Sequence, residues 1–334
     1  MGMSQSLLRT KLAFLLALGL ASQAFAGEIT DVTGHTIKIA EPVTRIAAAG
    51  PPAEVLLYSF APEAMVGWVH APRPDVAAYL SPQVRTLPEI GGVTAKGQDP
   101  EISEILAKKP QLILDFGDTD ARYIALAEKV RDKTGLPYVL LSASVAKTPE
   151  TLRALGKLTG RAARGEELAR YAEDVLNRVQ KTVATAKPVK VYVAGSADGT
   201  VTTSADSGFN DIYALAGMKN VISAPTANAA EVQAGDPDLI LAIDSRFREY
   251  AKGPGWSDLR AVKAGRIITP PRAPWGWTDH PPSVNRLLGL LWLTSALYGA
   301  PDANQLRADT KSFFKLFYHV DLTEEQITAL LNPS

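Results

Sequence analysis

The rhythm of apolar and polar positions changes several times along this chain, and the changes outline its organisation. Residues 29–39 alternate around Thr33-Gly34, which predicts a polar hairpin. Short apolar runs at residues 45–49, 65–69, 110–115 and 138–141 then read as buried strands. Between them, residues 53–60, 101–108 and 122–134 carry helical spacing, and Gly135 stops the last of these. Brief apolar strands separated by helices predict a parallel sheet with crossover helices.

From residue 148 to residue 186 the pattern is helical. Leu168, Tyr171, Ala172, Val175, Leu176, Val179 and Val183 recur at steps of three and four, one stripe over about five turns. At about 1.5 Å per residue such a helix runs roughly 30 Å, enough to cross the back of two lobes or to serve one lobe as a surface helix. A second α/β series follows, with strands at 189–194, 239–243 and 266–269 and helical stretches at 211–216 and 256–263. Pro110-Gln111-Leu112-Ile113-Leu114 and Pro237-Asp238-Leu239-Ile240-Leu241 lie 127 residues apart, an echo that two similar lobes would leave. The expected fold is α/β, with two lobes whose mainly parallel central sheets are flanked by helices and joined by one long connecting helix. The expected boundaries are residues 27–160, 161–187 and 188–334 for first lobe, connecting helix and second lobe.

One stretch follows neither rhythm. Pro270 to Arg286 holds five prolines, two tryptophans, a histidine and two arginines, and it runs into an apolar helix at 284–298 with Ser283 as its expected N-cap. Proline fixes φ and removes amide donors, so the stretch reads as a stiff loop that presents large side chains at low entropic cost. Such a loop suits a ligand wall. Arg272 and Arg286 would meet anionic oxygens with forked hydrogen bonds. Trp275 and Trp277 alternate across one glycine and point to opposite sides, one toward a cleft and one into the core. Trp68 would complete an aromatic wall from a facing loop that also carries His70 and Arg73, and Pro52 ends the first strand. His280 would fill an open metal coordination position or donate to an oxyanion. Plainer readings stand beside these: tryptophans that only pack, a structural histidine, and an ion pair between Arg286 and Asp279 or another carboxylate. Tyr58 and Tyr79 are further phenol candidates without an assigned place.

Composition narrows the setting. Arg9 and Lys11 precede an apolar run at 12–20, and Ala24-Phe25-Ala26 is an A-x-A cleavage site, so residues 1–26 read as a secretory signal cleaved after Ala26. The run is too short to span a bilayer, and no direct membrane insertion is expected. Two of the 35 basic residues fall in that segment, leaving 33 against 35 acidic in a mature chain of 308, a net charge of −2. No basic excess points to nucleic acid. With no cysteine there is no disulfide, thiolate metal site or lipid-anchor cysteine, so a monomer free in a bacterial periplasm is expected. Only His35, His70, His280 and His319 are present, without clustered carboxylates, which disfavours a bare zinc or manganese ion.

The order of several stretches resembles the periplasmic substrate-binding proteins of ABC importers, in the class whose two lobes share one long helix. In the first half these are Thr44-Arg45-Ile46 leading into Glu54-Val55-Leu56-Leu57, Met65-Val66-Gly67, Leu87-Pro88-Glu89-Ile90-Gly91-Gly92, and Glu104-Ile105-Leu106-Ala107-Lys108-Lys109-Pro110. In the second they are Gly208-Phe209, Ala216-Gly217-Met218-Lys219-Asn220-Val221, Asp236-Pro237-Asp238-Leu239-Ile240, Trp256-Ser257-Asp258-Leu259 and Ala261-Val262-Lys263-Ala264-Gly265-Arg266. Pro281-Pro282-Ser283-Val284-Asn285-Arg286 resembles the iron-complex binders within that class. The resemblance implies a transport component, not an enzyme and without a cofactor, that captures an iron–siderophore or related metal complex between its lobes. Cobalamin, haem or an oxyanion such as molybdate is the alternative ligand. It further implies docking on the permease through a glutamate on each lobe. That glutamate stands seven residues before the lobe's proline, where this chain has Ser103 and Ala230, so Glu101 or Glu104 and Glu231 are the nearest matches.

A hydrolase is the remote alternative. Asp279, His280 and Ser283 superficially suggest a triad, but one short loop seldom aligns all three. The chain has no G-x-S-x-G, H-E-x-x-H, Walker or G-x-G-x-x-G motif.

Overall fold

The computed structural model describes residues 25–40, 43–93, 102–203 and 210–332. The signal segment up to residue 24, Glu101 and Gly208-Phe209 lie outside the described residues. The hairpin pairs β1 (Phe25–Thr30) with β2 (Thr36–Ala40) antiparallel, with Gly34 at φ 81° in the turn. A charge holds this ribbon to the first lobe. The buried Asp31 carboxylate lies 2.6 Å from the Arg131 guanidinium, which also donates to the Tyr138 carbonyl.

In the first lobe, β3 (Ile46–Ala48), β4 (Leu112–Gly117) and β5 (Tyr138–Ser142) form a parallel sheet in that order. After β3, α1 (Pro51–Phe60) starts on two prolines, whose missing amides cost nothing at a helix start. The short α2 (Pro74–Ala77) and α3 (Ser103–Ala107) follow. Between β4 and β5 lies α4 (Ala121–Thr134), capped by the Asp120 carboxylate and closed by Gly135 at φ 67°. The strand expected at 65–69 forms only isolated bridges, Ile46 to Met65 and Trp68 to Glu89. Gly67 lets the chain run against residues 88–90, where a Cβ would stand 2.8 Å from the Pro88 carbonyl oxygen. The backbone of Trp68 therefore bonds to Pro88 and Ile90.

α5 (Thr148–Leu158) and α6 (Ala162–Ala184) are separate helices that cross where Gly156 and Gly165 meet, close enough that a Cβ on Gly165 would lie 2.7 Å from the Leu152 oxygen. At 23 residues α6 is about 35 Å long. The second sheet is parallel and ordered β7–β6–β8–β9, with β6 (Val189–Ala194), β7 (Met218–Asn220), β8 (Leu239–Ala242) and β9 (Ile267–Ile268). Its connections carry α7 (Asp211–Leu215), α8 (Ala229–Gly235), α9 (Phe247–Tyr250) and α10 (Arg260–Lys263). Then come α11 (Asn285–Tyr298), buried over its first ten residues, α12 (Ala303–Phe313), a π turn (Phe314–Tyr318) and α13 (Glu324–Leu331).

Residues 303–331, expected with the second lobe, return to α6 and the first. Arg178 on α6 grips Asp309 at 2.9 and 2.5 Å, Tyr171 packs on Phe313 and Phe317, and Tyr79 meets Phe314 at 6.0 Å. The run Phe313, Phe314, Phe317, Tyr318 needs an apolar cover, and α1 with α6 supplies it.

Strand alternation builds three cores. Leu112, Leu114 and Phe116 of β4 and Val191 and Val193 of β6 all join one cluster with α6 and α11. Ile113, Tyr138 and Leu140 face a first-lobe cluster under α4, while Tyr192, Ala194, Ile240 and Ala242 face a second-lobe one. Each sheet thus keeps one face private and shares the other.

Candidate functional site

The contacts between the lobes show which ends of the sheets face each other. Residues 143–145 follow β5, and residues 69–73 lie beyond the first-lobe bridges; Asp211 and residues 270–284 follow β6 and β9. Ser144 donates to the Asp211 carboxylate at 2.8 Å, and the Val145 amide donates to it at 2.6 Å. Trp68 and Trp275 stand 6.0 Å apart. The carboxyl edges of both sheets therefore meet at one seam, the kind of edge at which open α/β sheets bind ligands.

An aromatic knot closes one side of it. Trp275, half-buried, lies 6.0 Å from Trp68, 6.4 Å from Tyr58 and 6.0 Å from Tyr318. Polar links fix the knot: the Tyr58 hydroxyl donates to the Tyr318 carbonyl, the Tyr318 hydroxyl donates to Asn285 at 2.7 Å, and the Asn285 amide donates to the Trp275 carbonyl at 3.3 Å. Burial pushes the Tyr58 phenol up to about 12. Trp68 is fully buried and donates to the Val84 carbonyl. Trp277 points the opposite way into the core and donates to Ala273. Its carbonyl lies against α11 at Gly289, where a Cβ would be 1.9 Å from that oxygen.

Arg286 occupies a different place from the open wall expected of it. Its side chain is 1% exposed, its Nη1 is 3.2 Å from Asp211, and its Nη2 donates to the Ala143 carbonyl. Burial pulls the guanidinium down to about 10, still charged at neutral pH. The carboxylate it meets is Asp211, not Asp279. Arg286 is thus the centre of a clasp joining α11, α7 and the end of β5.

The second-lobe rim carries Arg272, exposed, whose Nη1 donates to the Ile243 carbonyl at 2.6 Å and lies 3.4 Å from Asp279. Its Nε and Nη2 make no hydrogen bond with the described residues. Asp279 is buried with neither oxygen hydrogen-bonded, and burial raises its carboxyl above the usual range. That carboxylate does not orient the exposed His280, and the Ser283 hydroxyl accepts the Asn285 amide at 3.3 Å, so no triad is assembled. Among the described residues no three His, Asp or Glu side chains converge to hold a metal ion, at His280 or elsewhere.

On the first-lobe rim, Pro52 is half-buried in α1, His70 is exposed 3.7 Å from Glu89, and Arg73 is exposed and forked onto Asp75. Glu54 in α1 was not singled out from the sequence. Its buried carboxylate accepts the Val69 amide at 2.7 Å, and burial raises it to about 7. Tyr79 packs on the π turn, away from this rim.

Between the ends of β4 and β5 lies a recess of about 180 Å³ lined by Asp118, Thr119, Ser142, Ser144 and Lys147 with Gly117 and Ala143. None of these residues stands out in the sequence, because short polar loops lack the aromatic and proline signal of 270–286. Of the glutamates expected to dock on a permease, Glu104 is exposed on α3, and Glu231 is exposed but closes the capping box of α8 by accepting the Asn228 amide at 2.8 Å.

A family model described as periplasmic binding protein matches residues 47–274. No curated protein matches the sequence. Among solved structures, an ABC transporter solute binding protein from Sulfurospirillum deleyianum is similar at 25% identity and a TM-score of 0.82, covering 91% of this chain and 99% of its own. The molybdate periplasmic binding protein MolA of Haemophilus influenzae, solved with molybdate, gives 18%, 0.69, 89% and 99% in the same order. The periplasmic vitamin B12 binding protein BtuF of Vibrio cholerae gives 18%, 0.60, 78% and 99%.

Proposed function

The chain belongs to the periplasmic binding protein family, and on that premise we propose that it captures an anionic metal complex of the iron–siderophore kind in the interlobe cleft and delivers it to the membrane subunits of an ABC importer. The observation that carries this reading is Arg272. Its guanidinium stands half-exposed at the carboxyl edge of the second sheet, anchored through Nη1 alone, so Nε and Nη2 are left to fork onto an anionic oxygen. Trp275 beside it offers an apolar face, and His280 a further donor. A chelator that already holds its metal asks for such a surface and not for a cage of protein ligands.

In this reading residues 1–26 direct export and are removed after Ala26, and the mature monomer works in the periplasm. No helix among the described residues is long and apolar enough to cross a membrane. Glu104 and Glu231, with Glu101, meet basic pockets of the permease, and charge complementarity speeds that encounter. One observation favours an oxyanion as a second reading: the recess that contains Lys147 is too small for a corrin or porphyrin and rich in hydroxyls. It fits the molybdate seen in one similar structure better than the vitamin B12 named for another.

The test is thermal stabilisation and calorimetry of the mature chain with ferric hydroxamate and ferric catecholate complexes, molybdate, vitamin B12 and haemin. A ferric chelate should bind, and Arg272→Ala should weaken it at least tenfold, the worth of one charge-assisted hydrogen bond. Equal affinity in wild type and variant would remove Arg272 from the site. Binding by haemin or vitamin B12 alone would replace the ligand class.

A further inference from the structure

Arg272 and Trp275 account for the second-lobe wall, but the first-lobe wall has its own chemistry in the recess between β4 and β5. Asp118 and Thr119 come from the turn after β4, and Ser142, Ser144 and Lys147 from the turn after β5. Several of these groups are already engaged within the protein. The Ser144 hydroxyl donates to Asp211, and Asp118 Oδ1 accepts the Thr119 amide at 2.7 Å. The Ser142 hydroxyl accepts the Ser144 amide at 3.3 Å, which leaves its own proton to give. Among the described residues no carboxylate lies within ion-pair distance of Lys147. Three donors therefore remain to serve a ligand: the Lys147 ammonium and the Thr119 and Ser142 hydroxyls. A single carboxylate, Asp118, opposes them. Arg286 adds positive potential from behind by donating to the carbonyl of Ala143, itself a lining residue, although Asp211 offsets part of its charge.

Size sets the class of guest. A volume of about 180 Å³ holds roughly six waters, at about 30 Å³ each. That is below the roughly 300 Å³ at which sites for whole drug-sized molecules begin. One tetrahedral oxyanion fits, or one carboxylate arm of a larger chelate. We propose that this recess is an oxyanion subsite in which Lys147 supplies the charge, Thr119 and Ser142 supply hydroxyl donors, and Asp118 limits the affinity. The inference rests on the cleft being the solute site proposed above. It adds a first-lobe contact by which a ligand anchored on Arg272 would span both walls.

Binding of molybdate and of ferric citrate is measured by calorimetry on the mature chain and on Lys147→Gln, Asp118→Asn and, as a charge control on the edge strand β7, Lys219→Gln. Lys147 is exposed, so its replacement leaves the fold intact. Lys147→Gln should raise Kd ten- to hundredfold, Asp118→Asn should lower it, and Lys219→Gln should leave it alone. Opposite signs at two neighbouring positions are not what a structural role produces. Molybdate binding alone identifies a free oxyanion as the source, and ferric citrate binding alone identifies the arm of a chelate; each supports the subsite. Indifference of Kd to Lys147→Gln, or absence of binding by both probes, overturns it. If vitamin B12, haemin or a ferric siderophore then binds with full affinity to Lys147→Gln, the solute-capture reading stands and only the subsite falls.

Discussion

Asp211 holds Arg286 at 3.2 Å with one carboxylate oxygen, while the other accepts the Ser144 hydroxyl and the Val145 amide. A single aspartate thus ties the first residues of α7 to α11 and to the loop after β5. The two residues lie 75 positions apart in sequence.

Asp211→Ala takes the carboxylate at 3.2 Å away from a buried guanidinium. The expected cost is about 3–5 kcal/mol, seen as a lower midpoint in guanidinium denaturation. Arg286→Met should cost less, because Asp211 is partly exposed and keeps its bonds to Ser144 and Val145. A loss under about 1 kcal/mol for Asp211→Ala would mean that the clasp does not hold the lobes.

Glu54 should make stability depend on pH. Its folded carboxyl is raised from 4.5 to about 7, chiefly by burial, so between those values the folded state holds a proton that the unfolded state has released. Stability therefore falls as pH rises from about 4.5 to about 7, and above that the full penalty is present. Glu54→Gln removes the titration. Its stability relative to wild type should improve by about 3 kcal/mol between pH 4.5 and pH 8. Parallel denaturation curves at the two pH values would contradict the assignment.

The tail beyond α11 should be indispensable, although the family match ends at residue 274. Ending the chain at residue 302 uncovers Tyr58 and the apolar stripe of α6, and the product should be insoluble or bind a hydrophobic dye. Tyr318→Phe is the milder probe. It strips the buried Asn285 oxygen of its hydrogen bond and should cost about 1–3 kcal/mol by urea denaturation. A soluble, cooperatively folding chain that stops at residue 302 would show that the tail is an accessory.

How far these features were legible in the sequence depended on range. Strands β3 to β6 and β8 were visible because apolar runs of four to six residues between helical segments leave few alternatives. The split between Trp275 and Trp277 followed from alternation across Gly276, and the side each tryptophan took was set by Trp68 on one hand and Gly289 on the other. Of the two readings of Arg286, an anion-binding wall residue or an ion pair with a carboxylate, the structure shows the ion pair; its partner Asp211 could not be named because it comes from a distant helix. The strand expected at 65–69 was overruled by Gly67, which brought the chain against residues 88–90. The tail was missed because an aromatic run says that it must be covered without saying by what.

The common core has a mechanical consequence. Because β4 and β6 bury side chains in one cluster with α6 and α11, swinging the halves apart would tear a continuous apolar interior and would not merely flex a tether. If the chain acts as proposed above, a translocator would meet much the same footprint whether cargo is aboard or absent. On the function proposed above, news of loading would be written in the turns around Lys147, His70 and Arg272.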